Sequence, residues 1–237
     1  MANCAYRNSE STQLPTKRVF GSRSVAYTQR KAHMSDEKLE LIDQMISATI
    51  GINRHNWSID LCPDTESTVF TLAGISNRVI ASGLSEPMFH RIKRLEQERN
   101  IDNLHLSQNA AEALPFTDHS IDLVSSRASA HHFRDFEKVL REIHRILKIG
   151  GSLVMADSIA PEQDDIASWM NSIKRRQDFS HVESRKISTI TKILTDSGFR
   201  VTNDDYQRNY LRFDEWTAHT NVEREEVTTP SLKIKFK

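Results

Sequence analysis

The sequence predicts an α/β domain: a largely parallel sheet with helices on both faces. Three observations carry that expectation. Short apolar runs alternate with amphipathic stretches through the middle of the chain, as strands alternate with helices in βαβ units. The clearest stretch carries Phe136, Val139, Leu140, Ile143, Ile146 and Leu147 on one helical stripe and stops at Gly150-Gly151. At 237 residues the chain is long enough to bury a sizeable core in one domain.

Taken in order, residues 1–18 are polar and aperiodic and read as a loosely held arm. From Ser35, a plausible N-cap, Leu39, Ile42, Met45, Ile46 and Ile50 recur at helical spacing up to Gly51. Strands are expected at Trp57–Leu61, Arg78–Ser82, Leu104–Ser107, Ile121–Ser125 and Ser152–Asp157. Helices are expected near Glu66–Ala73, Ser85–Glu98 and Asp135–Leu147, with Lys148 in the final turn of the last. A polar helix over Gln163–Arg176 follows, then a helix ending at Gly198 and two close strand candidates, Phe199–Asp204 and Arg208–Phe213. The run Lys174 to Gln177 (KRRQ) reads as a solvated helix face. The layout is an arm (1–18), one domain (19–222) and a charged tail (223–237). Within the domain, 19–56 form a helical cap, 57–160 the core, and 161–222 the C-terminal helices and edge strands.

Bulk composition excludes some classes. Lys+Arg and Asp+Glu both total 32, so there is no general electrostatic reason to bind nucleic acid or an anionic membrane. No run is long and apolar enough to span a membrane, and the N-terminus lacks the apolar region of a secretory signal. Cys4 and Cys62 have no pairing pattern and suit a reducing, cytoplasmic setting. Glycine is scarce: 7 residues, about 3% of the chain against a usual ~7%.

Residues Ala111 to Glu162 resemble the type 11 class of S-adenosylmethionine (SAM)-dependent methyltransferases. Three ordered pieces carry the resemblance: LPF-x-D-x-S-x-D-x-V from Leu114, then HHF…LREI-RILK-GG, then L-V-x-x-D ending at Asp157. It extends to roughly Phe20–Trp216 and looks most like small-molecule enzymes near the quinone-biosynthesis C-methyltransferases. The resemblance implies a three-layer, Rossmann-like class I methyltransferase fold, with a mostly parallel seven-stranded sheet and an antiparallel last strand. It also implies SAM as cofactor, bound beyond the carboxyl ends of the first strands, and methyl transfer to a small molecule.

The implied cofactor positions are Asp60, Cys62, Asp64, Glu66, Gly83, Ala110, Ala111 and Arg127. Asp60 keeps the family's residue at the end of the first strand. The family's Gly-x-Gly-x-Gly turn reads Cys62, Asp64 and Glu66 here; Gly83 stands where the family places an acid on the ribose, and Ala110 where it has an Asp near the adenine. A carboxylate about 4 Å from that of SAM would repel it by roughly 4 kcal/mol at an effective dielectric near 20. Two readings stay open: a reshaped SAM turn, or a helix start whose own Asp64, Glu66 and Ser67 cap the free N–H groups. Cys62 at such a turn is a candidate reactive thiol, an effect that Asp64 and Glu66 oppose.

For chemistry, His131 and Asp157 are the catalytic candidates, and Tyr27, His33, His132 and His181 the substrate-cleft candidates. The alternative is structural: His131 and His132 position a loop, Asp157 accepts a loop hydrogen bond, and Tyr27 packs on the sheet rim. Asp122 is expected to anchor strand and loop. The histidine spacing matches no zinc pattern, so no metal is expected. Three functions follow: a methyltransferase with a weakened cofactor site, a non-catalytic binding or regulatory partner, or a SAM-independent catalyst on the same fold. A small molecule is the expected partner of an active enzyme, and a homo-oligomer or a partner subunit fits the non-catalytic reading.

Overall fold

The structure is a computed structural model that describes Ile46 and residues 54–63 and 66–202, with Glu66 and Ser67 described in their backbone only. Elements alternate as the apolar runs predict: β1 (His55–Leu61), α1 (Glu66–Ile75), β2 (Ser76–Gly83), α2 (Glu86–Glu98), β3 (Leu104–Gln108) and β4 (Ile121–Arg127). A 3-10 turn (Ala130–His132) leads into α3 (Phe136–Ile146), β5 (Leu147–Ala156), α4 (Asp164–Gln177) and α5 (Ile187–Asp196). Five strands pair in the order β3-β2-β1-β4-β5, all parallel. Chain direction reverses its walk across the sheet between β1 and β4, the kind of switch point beyond whose carboxyl ends open α/β sheets bind ligands.

Both faces are covered. On one, Ile59, Leu61, Ile80 and Val124 pack against the α3 stripe of Phe136, Val139, Leu140, Ile143 and Ile146. On the other, Val79, Ala81, Leu123 and Val154 meet Ile46, Val69, Leu72, Phe89 and Ile92. Each buried aliphatic side chain contributes about 1.5–3 kcal/mol, so these two layers hold the strand ends, and the site on them, in fixed register.

The α3–β5 junction differs from the sequence expectation. Lys148 is not in the last helical turn: the helix stops at Ile146 and Leu147 already pairs with Ile121. While β4 advances from Ile121 to Leu123, β5 advances from Leu147 to Ser152, so the intervening residues bulge. Gly150 supplies a φ of +80° there, and a Cβ on Gly151 would lie 2.9 Å from the Lys148 carbonyl oxygen. The bulge turns Lys148 onto Asp122 (Nζ to Oδ1, 2.7 Å), whose other oxygen accepts the Asn56 and Trp57 N–H groups. Asp122 is thus the anchor that the sequence predicts.

Phe199 to Thr202 lie outside any strand. The rest of that strand candidate, the candidate Arg208–Phe213, and the implied antiparallel last strand lie outside the described residues. So do the N-terminal arm, the charged tail and, except for helical, buried Ile46, the Ser35–Gly51 helix.

Candidate cofactor and acceptor site

Beyond β1 the chain turns sharply at Cys62, whose φ is +56°. That left-handed conformation is the one glycine adopts freely and other residues avoid by roughly 1–2 kcal/mol. The turn is clamped to the neighbouring strand by the Cys62 N–H, which donates to the Ser82 carbonyl at 2.6 Å. Gly83 follows directly, and a Cβ there would lie 3.3 Å from Cys62 Cα. Turn and strand end therefore approach each other because residue 83 has no side chain. Burial, then the charges of Glu112 and Asp60, push the Cys62 thiol up to about 12, so it is an inert thiol.

Asp60 is buried at the end of β1, where its Oδ1 accepts the Ser125 hydroxyl at 2.8 Å. Two residues on, Arg127 shares that face of β4 and is buried. Asn109, beside the predicted Ala110, ties β2 and β3 together: its Oδ1 accepts the hydroxyls of Ser82 (3.1 Å) and Ser107 (2.8 Å), and its backbone N–H donates to the Gly83 carbonyl (3.0 Å). Ala111 is buried in the core beneath the adjoining loop.

That loop explains why its signature occurs together with the α3 signature. Arg145 donates to the carbonyls of Leu114 (2.9 Å) and Phe116 (2.8 Å) and to Asp118 Oδ1 (2.6 Å). Its other donors make a forked pair with Glu142, which also accepts the Leu114 N–H at 2.9 Å. The guanidinium holds the Glu142 carboxyl below its ordinary range, and Glu142 and Asp118 hold Arg145 charged.

The two catalytic candidates meet beyond β4 and β5. His131 Nδ1 lies 2.7 Å from Asp157 Oδ1, and the His131 backbone N–H donates to Oδ2 at 3.0 Å. Asp157 Oδ1 also accepts the Ser158 N–H at 2.6 Å. Burial pushes the Asp157 carboxyl up, but the donors from His131 and Ser158 outweigh it and hold it below the usual carboxylate range. An ionised Asp157 fixes the imidazole with its proton on Nδ1, leaving Nε2 bare to accept a proton. The His131 side chain is 16% exposed.

The other two cleft candidates that the structure describes, His132 and His181, are brought to the same place. His132 stacks at 4.0 Å and His181 at 5.3 Å from the His131 ring. His132 Nδ1 is 3.0 Å from the Ser180 carbonyl, and His181 Nε2 is 2.8 Å from Asn171 Oδ1. Burial, followed by the charge of His131, lowers His132 to about 4; burial, then His131 and Lys174, lowers His181 to about 3. Both are neutral near pH 7 and pack behind His131. Tyr27, His33 and Asp64 lie outside the described residues, as does the side chain of Glu66.

Sequence reasoning missed three contributors. Asn109 was passed over beside Ala110. Asn171, on α4, holds the loop behind the histidines, accepting the Ser184 N–H at 2.7 Å and donating to its carbonyl at 3.0 Å. Lys174 heads a run that reads as a solvated face; Arg175 and Arg176 are exposed, but Lys174 turns inward to the hydroxyls of Ser158 (2.6 Å) and Ser184 (2.9 Å). Its helical spacing from Asn171, one turn apart, was the signal available.

A parallel sheet of this order, with a buried acid near the end of β1 and its switch point between β1 and β4, is a Rossmann-like α/β domain. Residues 61–155 match a family model described as a methyltransferase domain. The chain is 33% identical over 140 residues to the uncharacterized protein YafE of Escherichia coli K12, covering 59% of this chain and 68% of that one. It is 27% identical to the uncharacterized methyltransferase YcgJ of Bacillus subtilis, over 83% of this chain and 76% of YcgJ. The crystal structure of YcgJ superposes with a TM-score of 0.72, covering 79% of this chain and 81% of that one. A demethylmenaquinone methyltransferase of Lactococcus lactis is 31% identical over 65% of this chain and 64% of its own length. The chain belongs to the type 11 family of SAM-dependent methyltransferases. Among the described residues, no helix is long and apolar enough to cross a membrane, and no group of metal-binding side chains forms.

Proposed function

We propose that this protein transfers a methyl group from SAM to a small-molecule acceptor, with His131, held by Asp157, taking the acceptor's proton. The observation that carries the reading is the dyad itself: a 2.7 Å His131–Asp157 contact beyond the carboxyl ends of β4 and β5. The residues present fit SAM at the turn. Cys62 keeps, at φ +56°, a backbone shape that glycine adopts freely. Asp60 and Arg127 supply buried charges at the crevice, and Ala111 a backbone N–H. Two acidic contacts are absent: Gly83 has no carboxylate for the ribose hydroxyls, and Ala110 none for the adenine. A charge-assisted hydrogen bond of the ribose kind contributes about 1.5–3 kcal/mol, so the expected grip on SAM is roughly ten- to a hundredfold weaker than that of a site bearing the ribose acid.

When bound, SAM supplies an electrophilic methyl group. The chain's own residues do the rest. The carboxyl ends of β1, β2 and β3 orient the cofactor; the loop held by Arg145 and Glu142 closes one wall. Asp157 keeps the His131 Nδ1 protonated, so Nε2 receives the acceptor's proton as the new bond forms. The resulting imidazolium is stabilised by the ionised Asp157.

A non-catalytic binding partner is the second reading. What favours it is the closeness of Cys62 Cα to Gly83, at 3.3 Å from a built Cβ, where the family places the ribose acid. Amide chemical shifts measured during titration with S-adenosylhomocysteine separate the two. The proposal expects saturable changes at Asp60, Gly83, Ala110 and Ala111. Their absence at millimolar ligand, with the protein folded, would favour the partner.

A further inference from the structure

The inward turn of Lys174 has no explanation in the proton chemistry of His131. Its ammonium is half-buried on α4 and meets two hydroxyl oxygens, Ser158 Oγ at 2.6 Å and Ser184 Oγ at 2.9 Å, which are themselves 3.2 Å apart. Among the described residues no carboxylate forms an ion pair with it. Asp157 lies near enough to act through its charge, but its oxygens are engaged by the His131 ring and by the backbone N–H groups of His131 and Ser158. Burial lowers Lys174 from its ordinary range and the Asp157 charge opposes this. A cation drawn out of water beside neutral groups is costly unless an anion joins it.

The geometry around the ammonium is rich in donors. Both serine oxygens accept from Lys174, the two hydroxyls bond each other at 3.2 Å, and Ser158 Oγ reaches Asp157 Oδ1 only at a long 3.5 Å, so the exposed Ser158 hydroxyl and the third ammonium N–H are the donors able to turn to a ligand. An ammonium N–H and a hydroxyl side by side suit an acceptor with two oxygens and a negative charge. The cluster is open, because Ser158 is exposed. It is also adjacent to the dyad: Ser158 follows Asp157 in sequence and donates to it. On its other side, buried Ser184 also lines a cavity of about 590 Å³ between α4 and residues 182–189.

We propose that Lys174, Ser158 and Ser184 form a carboxylate-binding subsite of the acceptor cleft, so that the methyl acceptor is a small molecule carrying a carboxylate near the group that His131 deprotonates. This rests on the reading of His131 and Asp157 as the acceptor site. It assigns Lys174 to substrate positioning, and selects acidic acceptors over neutral ones of the same shape.

The test uses benzoate as the anionic probe and benzamide as its neutral counterpart, on the full chain without SAM. Binding is followed at the Ser158 and Ser184 amides and the His131 ring by NMR. Benzoate is expected to give saturable shifts at all three, with benzamide at least tenfold weaker. Lys174→Met is expected to weaken benzoate by about tenfold or more, and Lys174→Arg to restore part of the loss. Ser158→Ala, a change at an exposed residue, is expected to weaken it several-fold with the fold intact. Equal binding of benzamide, or unchanged benzoate binding in Lys174→Met and Ser158→Ala, would overturn the proposal. S-adenosylhomocysteine binding is measured separately on the same proteins. Its loss alone would contradict the methyltransferase reading while leaving the carboxylate result to stand or fall on its own.

Discussion

Cys62 is the first of the positions at which the turn departs from its family. It occupies a left-handed conformation at φ +56°, yet it also packs its side chain against the core. Relief of backbone strain and loss of that packing oppose each other in Cys62→Gly. The expected stability change is therefore within about 1 kcal/mol. A β-branched residue has no such balance, and Cys62→Val is expected to cost about 2 kcal/mol in urea unfolding. The same turn limits repair of the ribose contact. Gly83→Asp puts a Cβ 3.3 Å from Cys62 Cα, so alone it is expected to change S-adenosylhomocysteine affinity by no more than a few-fold. Paired with Cys62→Gly, which frees the turn to shift, it is expected to tighten binding about tenfold by calorimetry.

Among elements, α3 organises more of the site than its hydrophobic stripe suggests. Through Arg145 and Glu142 it holds the backbone from Leu114 to Phe116, some thirty residues earlier. Arg145→Met removes five described hydrogen bonds and leaves Glu142 facing loop carbonyls. The expected cost is about 2–4 kcal/mol in unfolding free energy, with amide exchange rising first from Leu114 to Phe116. Arg145→Lys cannot reproduce the fork and is expected to recover less than half. This is also where sequence reading stops. The strands and α3 are legible because burial writes its periodicity into consecutive residues. The bulge after Leu147 is not, since Gly150-Gly151 signals a helix stop equally well. His131 and Asp157 are legible as candidates, but their 2.7 Å pairing joins positions on different elements, which no local pattern encodes. Lys174 is hidden by its exposed neighbours Arg175 and Arg176.

For the whole molecule, burial of neutral histidines sets a pH dependence. Their folded-state affinity for protons is lower than in the unfolded chain, where the ordinary value is 6.5; His132 falls to about 4 and His181 to about 3. Above pH 6.5 neither state binds these protons and stability is unaffected. As pH falls below 6.5 the unfolded chain takes up protons that the fold refuses, so stability falls. Asp157, held below its ordinary range, acts in the same direction at lower pH. For His132 the loss reaches about 2 kcal/mol by pH 5. Urea midpoints measured from pH 7.5 to 5 are expected to decline, and His132→Asn, which keeps a donor for the Ser180 carbonyl but cannot titrate, is expected to flatten the decline.

The central claim is that a turn without its glycines still holds the family's cofactor. Isothermal titration of the full chain with SAM and S-adenosylhomocysteine, carried to millimolar ligand, tests it most directly. The account predicts one site per chain with weakened affinity, in the tens to hundreds of micromolar. No heat and no thermal shift at millimolar ligand would contradict it and leave the fold as a scaffold for other partners.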